Sequence, residues 1–166
     1  MRIAQQLYEG VDIDGHGTIG IITYLRTDST RVAAEADVSA REYIKNNYGV
    51  DYYCPIDNKK ENDKKIQDAH EAIRPTDIEL TPAKIKDSLA RDQFRLYQLI
   101  WKRFAASRMQ PARYETTTAK ITVGGHHFSS SSSRLVFDGF MSVYAEADEE
   151  KEENNSMVGS LSTDSV

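Results

Sequence analysis

Hydrophobic positions recur at helical spacing through the first 110 residues and at alternate positions afterwards, so the chain divides into a helical part and a strand part. "MRIAQQLYEG" reads as an amphipathic helix. "STRVAAEADVSAREYIKNNYG" reads as a second, with Ser29 or Thr30 as its N-cap, an apolar face through Val32, Ala36 and Tyr43 or Ile44, and Gly49 as its stop. "LTPAKIKDSL" carries Thr81 at a cap position and Pro82 at the first helical position, where a missing N–H costs nothing. In "RDQFRLYQLIWKRFAASRM" the aromatics Phe94, Tyr97, Trp101 and Phe104 share one face, and that face is predicted to be core rather than a platform for stacking bases. The Gly-rich "DIDGHGT" predicts a turn, and Ile19 to Arg26 reads as extended. Beyond Pro111, "YETTTAKITVGG", "HHFSSSSSRLVF" and "GFMSVYAEA" predict three strands joined by turns at Gly124-Gly125 and Asp138-Gly139, an antiparallel meander. The run Ser129 to Ser133 has the composition of a linker, but its place between two strand-like runs fits an exposed strand or a bulge equally well.

The expected class is therefore α+β, with residues 1–110 a helical domain and 111–166 an incomplete β-rich domain. At 166 residues with 39% hydrophobic content, the chain is long enough to bury a core. No stretch approaches the roughly twenty apolar residues of a membrane span, the first residues do not read as a signal peptide, and Cys54 is the single cysteine. One cysteine allows neither an internal disulfide nor a metal cluster, and a cytoplasmic setting is expected. The formal charge of −5 is concentrated in "EADEEKEE", Glu146 to Glu153, whereas residues 1–110 hold 17 basic and 17 acidic side chains. Total charge thus says nothing against a basic groove for nucleic acid elsewhere. The chain opens inside a helical pattern and stops at "GSLSTDSV" within another strand-like run, which suggests a piece of something larger.

Candidate chemistry centres on "ITYLRTDST", Ile22 to Thr30. In an extended segment Tyr24 and Arg26 point to one side, since residues i and i+2 share a face. A deprotonated phenol attacks phosphorus, and a guanidinium offers a fork of donors matched to phosphate oxygens and to the charge of the transition state. Tyrosine with arginine is thus a pair suited to phosphodiester chemistry. A phenol with an ordinary pKa of about 10 needs a base or an electropositive setting to attack at neutral pH. The plainer alternative is that Tyr24 packs and Arg26 is solvated.

Three segments in order, "ITYLRTDST", "IQDAHEAIRPT" and "RLYQLIWKRFAASRMQPARYETTT", with "IAQQLYEG" upstream, resemble the central part of type IA DNA topoisomerases, bacterial DNA topoisomerase I in particular. The resemblance covers nearly the whole chain and weakens after Tyr144. It implies relaxation of negatively supercoiled DNA by transient single-strand cleavage, strand passage and religation. By this matching Tyr24 is the nucleophile that bonds to a 5′ phosphate, Arg26 steadies the scissile phosphate, His70 contacts DNA near the site, and Asp28 has a supporting electrostatic or hydrogen-bonding role. A histidine held by a local hydrogen bond is the plainer reading of His70. The resemblance makes residues 1–110 the tyrosine-bearing domain and 111–166 part of the β-rich arch. It also implies that the Mg2+-binding acidic domain and the zinc-ribbon tail lie outside this chain, leaving no metal site or cofactor within it. Asp12, Asp14 and Asp28 do not replace that acidic cluster. The implied partner is DNA, single-stranded at the cleavage site, in a bacterial cytoplasm at the nucleoid and with no membrane association. Strands left without neighbours would favour self-association, and the isolated piece is expected to be inactive. A non-catalytic DNA- or partner-binding helical module is the competing reading.

Overall fold

The computed structural model describes residues 1–54 and 70–144. The acidic run at Glu146 to Glu153 and the strand-like run at "GSLSTDSV" lie outside them. Helix α1 (Arg2–Glu9) leads into a short hairpin of β1 (Val11–Ile13) and β2 (Gly17–Ile19), with "DIDGHGT" forming its turn as expected. Helix α2 (Ala34–Asn47), a short α3 (Pro82–Ile85) and α4 (Arg91–Ala106) complete the helical body.

The core forms where the aromatic stripe of α4 meets the other elements. Tyr97, Trp101 and Phe104 are buried with Leu7, Ile13, Ile21, Ile22, Tyr43, Ile44 and Ile85, and Phe94 packs at the edge of this cluster. Each fully buried large apolar side chain contributes about 1.5–3 kcal/mol. The polar tips of two of these rings also satisfy backbone acceptors. The Tyr97 hydroxyl donates to the Leu80 carbonyl at 2.6 Å, and Trp101 Nε1–H donates to the Ile78 carbonyl at 2.9 Å. These two bonds tie the segment that follows His70 to α4.

Burial raises the Tyr97 phenol well above its ordinary value, and it pushes Tyr43, which also faces Tyr48 and Glu79, up to about 12. A phenol whose folded pKa exceeds its unfolded value stabilises the fold fully below pH about 10, and that stabilisation is lost as pH rises toward the folded value. Unfolding by urea should therefore show stability falling between pH 10 and about 12. Tyr43→Phe should make that fall shallower. An equally steep fall in the variant would assign the loss to other groups.

The cap of α2 and the strands beyond Pro111 differ from the sequence expectation. The N-cap of α2 is Ala33 rather than Ser29 or Thr30. The hydroxyls are used earlier: Thr27 Oγ1 accepts from the Ser29 N–H at 3.0 Å and Ser29 Oγ accepts from the Arg31 N–H at 3.2 Å, so they hold turns instead of starting a helix. The expected meander has only two strands among the described residues. Strand β3 (Arg113–Val123) pairs antiparallel with β4 (His126–Phe137) through a Gly124-Gly125 turn, but Gly139–Ser142 is a 3-10 turn, not a strand. Gly139 has φ 51°, and a Cβ there would collide with the Gln110 carbonyl oxygen. The chain therefore turns back onto the body, and Val143 is buried in its core. Ser129 to Ser133 lie within β4, which resolves the open choice in favour of a strand; Thr116 and Thr118 hydrogen-bond across to Ser133 and Ser131.

Candidate functional site

The segment Gly20–Thr23 is held between two neighbours. On one side, the Ile21 N–H donates to the carbonyl of Leu7 at 2.9 Å, near the end of α1. On the other, it runs against residues 72–76. Ile22 forms a β-bridge with Pro75, the Thr23 N–H donates to the Arg74 carbonyl at 2.9 Å, and the Thr76 N–H donates to the Ile21 carbonyl at 3.0 Å. Thr23 Oγ1 donates to the Ala72 carbonyl and accepts from the Arg74 N–H, both at 2.9 Å. Of the expected extended stretch from Ile19 to Arg26, Ile19 ends β2 and only Ile22 pairs beyond it, in a single bridge followed by a bend at Leu25 and Arg26. The bonds at Thr23 and Thr76 flank the Ile22–Pro75 pair, so Pro75 occupies a non-hydrogen-bonded position where its missing N–H costs the pairing nothing.

An ion pair organises the facing segment. Arg74 Nε donates to Glu71 Oε2 at 2.8 Å, and Arg74 Nη1 donates to the Pro75 carbonyl at 3.0 Å. Burial pushes the Glu71 carboxyl up. The hydrogen bond and charge of Arg74, the Ala33 backbone and Arg31 outweigh that push and leave it below its ordinary value. Arg74 is thereby committed to holding the loop that carries His70.

The result is that Tyr24 and His70, 46 positions apart in sequence, stand face to face. Their rings stack with centroids 5.4 Å apart and an interplanar angle of 24°. Tyr24 is 39% exposed, and its hydroxyl makes no hydrogen bond among the described residues. A third ring, Tyr8 at the end of α1, meets Tyr24 edge-on at 5.6 Å and 72°. Nothing in the spacing of residues marks Tyr8, since one tyrosine in an amphipathic helix carries no chemistry by its position alone.

Arg26 and Asp28 are exposed, and neither forms an ion pair or hydrogen bond with Tyr24 or His70 among the described residues. Exposure alternates along this stretch: Tyr24, Arg26 and Asp28 are open, while Leu25 is buried and Thr27 and Ser29 are partly so. Arg26, two residues along the chain from the exposed phenol, keeps its guanidinium donors open to solvent. No group of three His, Cys, Asp or Glu side chains suited to a metal converges among the described residues. Nor is any described helix long and apolar enough to cross a membrane.

Comparison with known proteins identifies the family. The sequence profile of the DNA topoisomerase family matches residues 1–165. The solved structure of full-length topoisomerase I from Thermotoga maritima superposes with a TM-score of 0.70 at 43% sequence identity, covering 86% of this chain. The chain belongs to the DNA topoisomerase family, on its bacterial type IA branch. It spans 22% of the length of the Thermotoga protein.

Proposed function

We propose that this chain carries the strand-cleaving tyrosine of a type IA DNA topoisomerase, with Tyr24 as nucleophile, Arg26 as the phosphate-binding cation, His70 as a DNA contact and Asp28 in support. The observation that supports it best is the exposed Tyr24 phenol stacked on His70 in a member of this family. In the proposed step the Tyr24 oxygen attacks the phosphorus of one phosphodiester, forming a tyrosine–phosphate bond to the 5′ end. The bond from phosphorus to the 3′ oxygen breaks. The phenol proton leaves to a base, and the departing 3′ oxygen takes one up. Religation is the reverse attack by the 3′ hydroxyl, so phosphodiester energy is kept in the covalent bond while the intact strand passes. Negatively supercoiled DNA, easily unpaired, is the proposed substrate, in a bacterial cytoplasm at the nucleoid.

Mg2+ is implied by the family, but the described residues offer it no complete ligand set. We assign residues 1–110 to the tyrosine-bearing domain and 111–166 to part of the arch.

The test is to trap protein on a labelled single strand under denaturing conditions, using an active topoisomerase that contains this sequence, and to map the modified peptide. An adduct on Tyr24 is expected, which a mere binding module could not form. An adduct on any other residue would remove Tyr24 from its role. The 166-residue chain alone should not relax supercoiled DNA, because positioning and electrostatic activation of the phenol depend on further parts of such an enzyme.

The hairpin of β3 and β4 supports a further expectation. Ile121, Val123, Phe128, Leu135 and Val136 are all exposed, and among the described residues the hairpin has two open edges. Purified chain should associate with itself through this hairpin. A single monomeric species in sedimentation at high concentration would contradict that.

A further inference from the structure

We infer that Tyr8 is a positioning residue for Tyr24, fixing the direction of the phenol through its ring rather than its hydroxyl. This rests on Tyr24 as nucleophile. A phenol oxygen sits beyond two rotatable bonds, so a change of rotamer moves it by several ångströms. Productive attack requires the reacting atoms to be about 3–3.5 Å apart and aligned. Tyr24 stands on an irregular, exposed segment with a bend directly after it. Its ring has two aromatic neighbours: the face of His70 at 5.4 Å and the edge contact with Tyr8 at 5.6 Å. The 72° angle of the Tyr8 contact is the edge-to-face arrangement that aromatic rings favour.

The two neighbours differ in what holds them. His70 is exposed and lies on an irregular segment. Tyr8 lies in the last turn of α1, and that turn is locked to the segment carrying Tyr24. The Leu7 carbonyl accepts from the Ile21 N–H, Leu7 is fully buried, and the α-carbon of Gly20 lies so close to the Tyr8 carbonyl oxygen that any Cβ would collide with it. Tyr8 itself is 38% exposed, so its ring is not part of the hydrophobic core. These features make Tyr8 the fixed wall against which the Tyr24 ring is set, and Gly20 the residue that permits the close approach.

The experiment compares Tyr8→Phe and Tyr8→Leu. In an active topoisomerase containing this sequence, Tyr8→Leu should slow covalent adduct formation at saturating single-stranded DNA by roughly tenfold or more without weakening DNA binding. Tyr8→Phe, which keeps the ring, should cleave at the parental rate. In the 166-residue chain, the ring-current shift of the His70 ring protons in NMR spectra should shrink in Tyr8→Leu and persist in Tyr8→Phe, because a freed Tyr24 ring no longer stays over the imidazole. Parental cleavage in Tyr8→Leu, equal losses in both variants, or an unchanged His70 shift in Tyr8→Leu would each overturn the inference. Mapping the parental adduct separates this from the nucleophile assignment. An adduct on Tyr24 with no effect of Tyr8→Leu sinks only the positioning role, whereas an adduct elsewhere sinks both.

Discussion

Tyr24→Phe is expected to abolish covalent DNA trapping completely while leaving non-covalent binding to a single strand close to the parental affinity. The attacking oxygen is the bond-forming atom, and no neighbour can supply it: the ring that stacks on Tyr24 is an imidazole, and the Tyr8 ring meets it edge-on from a different element. Binding is a different quantity. Affinity for nucleic acid comes largely from neutralising phosphates, and one hydroxyl is a small part of such an interface. The replacement is also mild structurally, since the hydroxyl makes no hydrogen bond among the described residues and the ring contacts are retained in Phe. Denaturing gels for the adduct and fluorescence anisotropy for binding read the two quantities separately. Any residual adduct in Tyr24→Phe would show that another residue is the nucleophile.

Arg26→Ala should slow cleavage by on the order of a hundredfold or more, about 3 kcal/mol of lost transition-state stabilisation, with the adduct still on Tyr24. Arg26 is exposed and makes no ion pair among the described residues, so its removal leaves no buried charge behind, and thermal stability should hardly change. The expected loss is therefore chemical rather than structural. Arg26→Lys should recover only part of the rate, because an ammonium cannot present the planar fork of donors that fits two phosphate oxygens. Single-turnover cleavage of a labelled strand checks this. Full activity in Arg26→Ala would mean that the scissile phosphate is held by other groups.

How much of this was readable beforehand varies with the physics involved. The stripe of Tyr97, Trp101 and Phe104 announced the core because helical periodicity is local, and all three are buried. The Gly124-Gly125 turn was equally legible, since both glycines adopt positive φ, 56° and 81°, as a tight hairpin requires. The α2 cap was misplaced because a hydroxyl two residues before a backbone N–H competes with capping, and spacing alone does not show which use wins. The third strand failed because "GFMSVY" alternates like a strand, while Gly139 and the docking of Phe140 and Val143 on the body are tertiary facts. As for the site, Tyr24 and Arg26 were visible as a chemically suggestive pair. The stacking of His70 on Tyr24 depends on the ladder between Gly20–Thr23 and residues 72–76, which a single sequence does not display. Only the likeness to a known family named His70 in advance, and nothing named Tyr8.

The way the hairpin leaves the body has a mechanical meaning. Its two ends meet at one anchor: Phe140 N–H donates to the Gln110 carbonyl at 2.9 Å, Gln110 N–H donates to the Tyr52 carbonyl at 2.7 Å, and the Tyr52 hydroxyl donates to Asp138 at 2.7 Å. Beyond it, the 11 residues of β3 extend about 37 Å at roughly 3.4 Å per residue. A rotation of only about 10° at the anchor would carry the tip about 6 Å over an arm of that length. The hairpin is thus a lever with a short fulcrum. Force applied at its far end arrives as torque on a few hydrogen bonds beside Gly139, so a small turn of that joint becomes a large displacement of the tip.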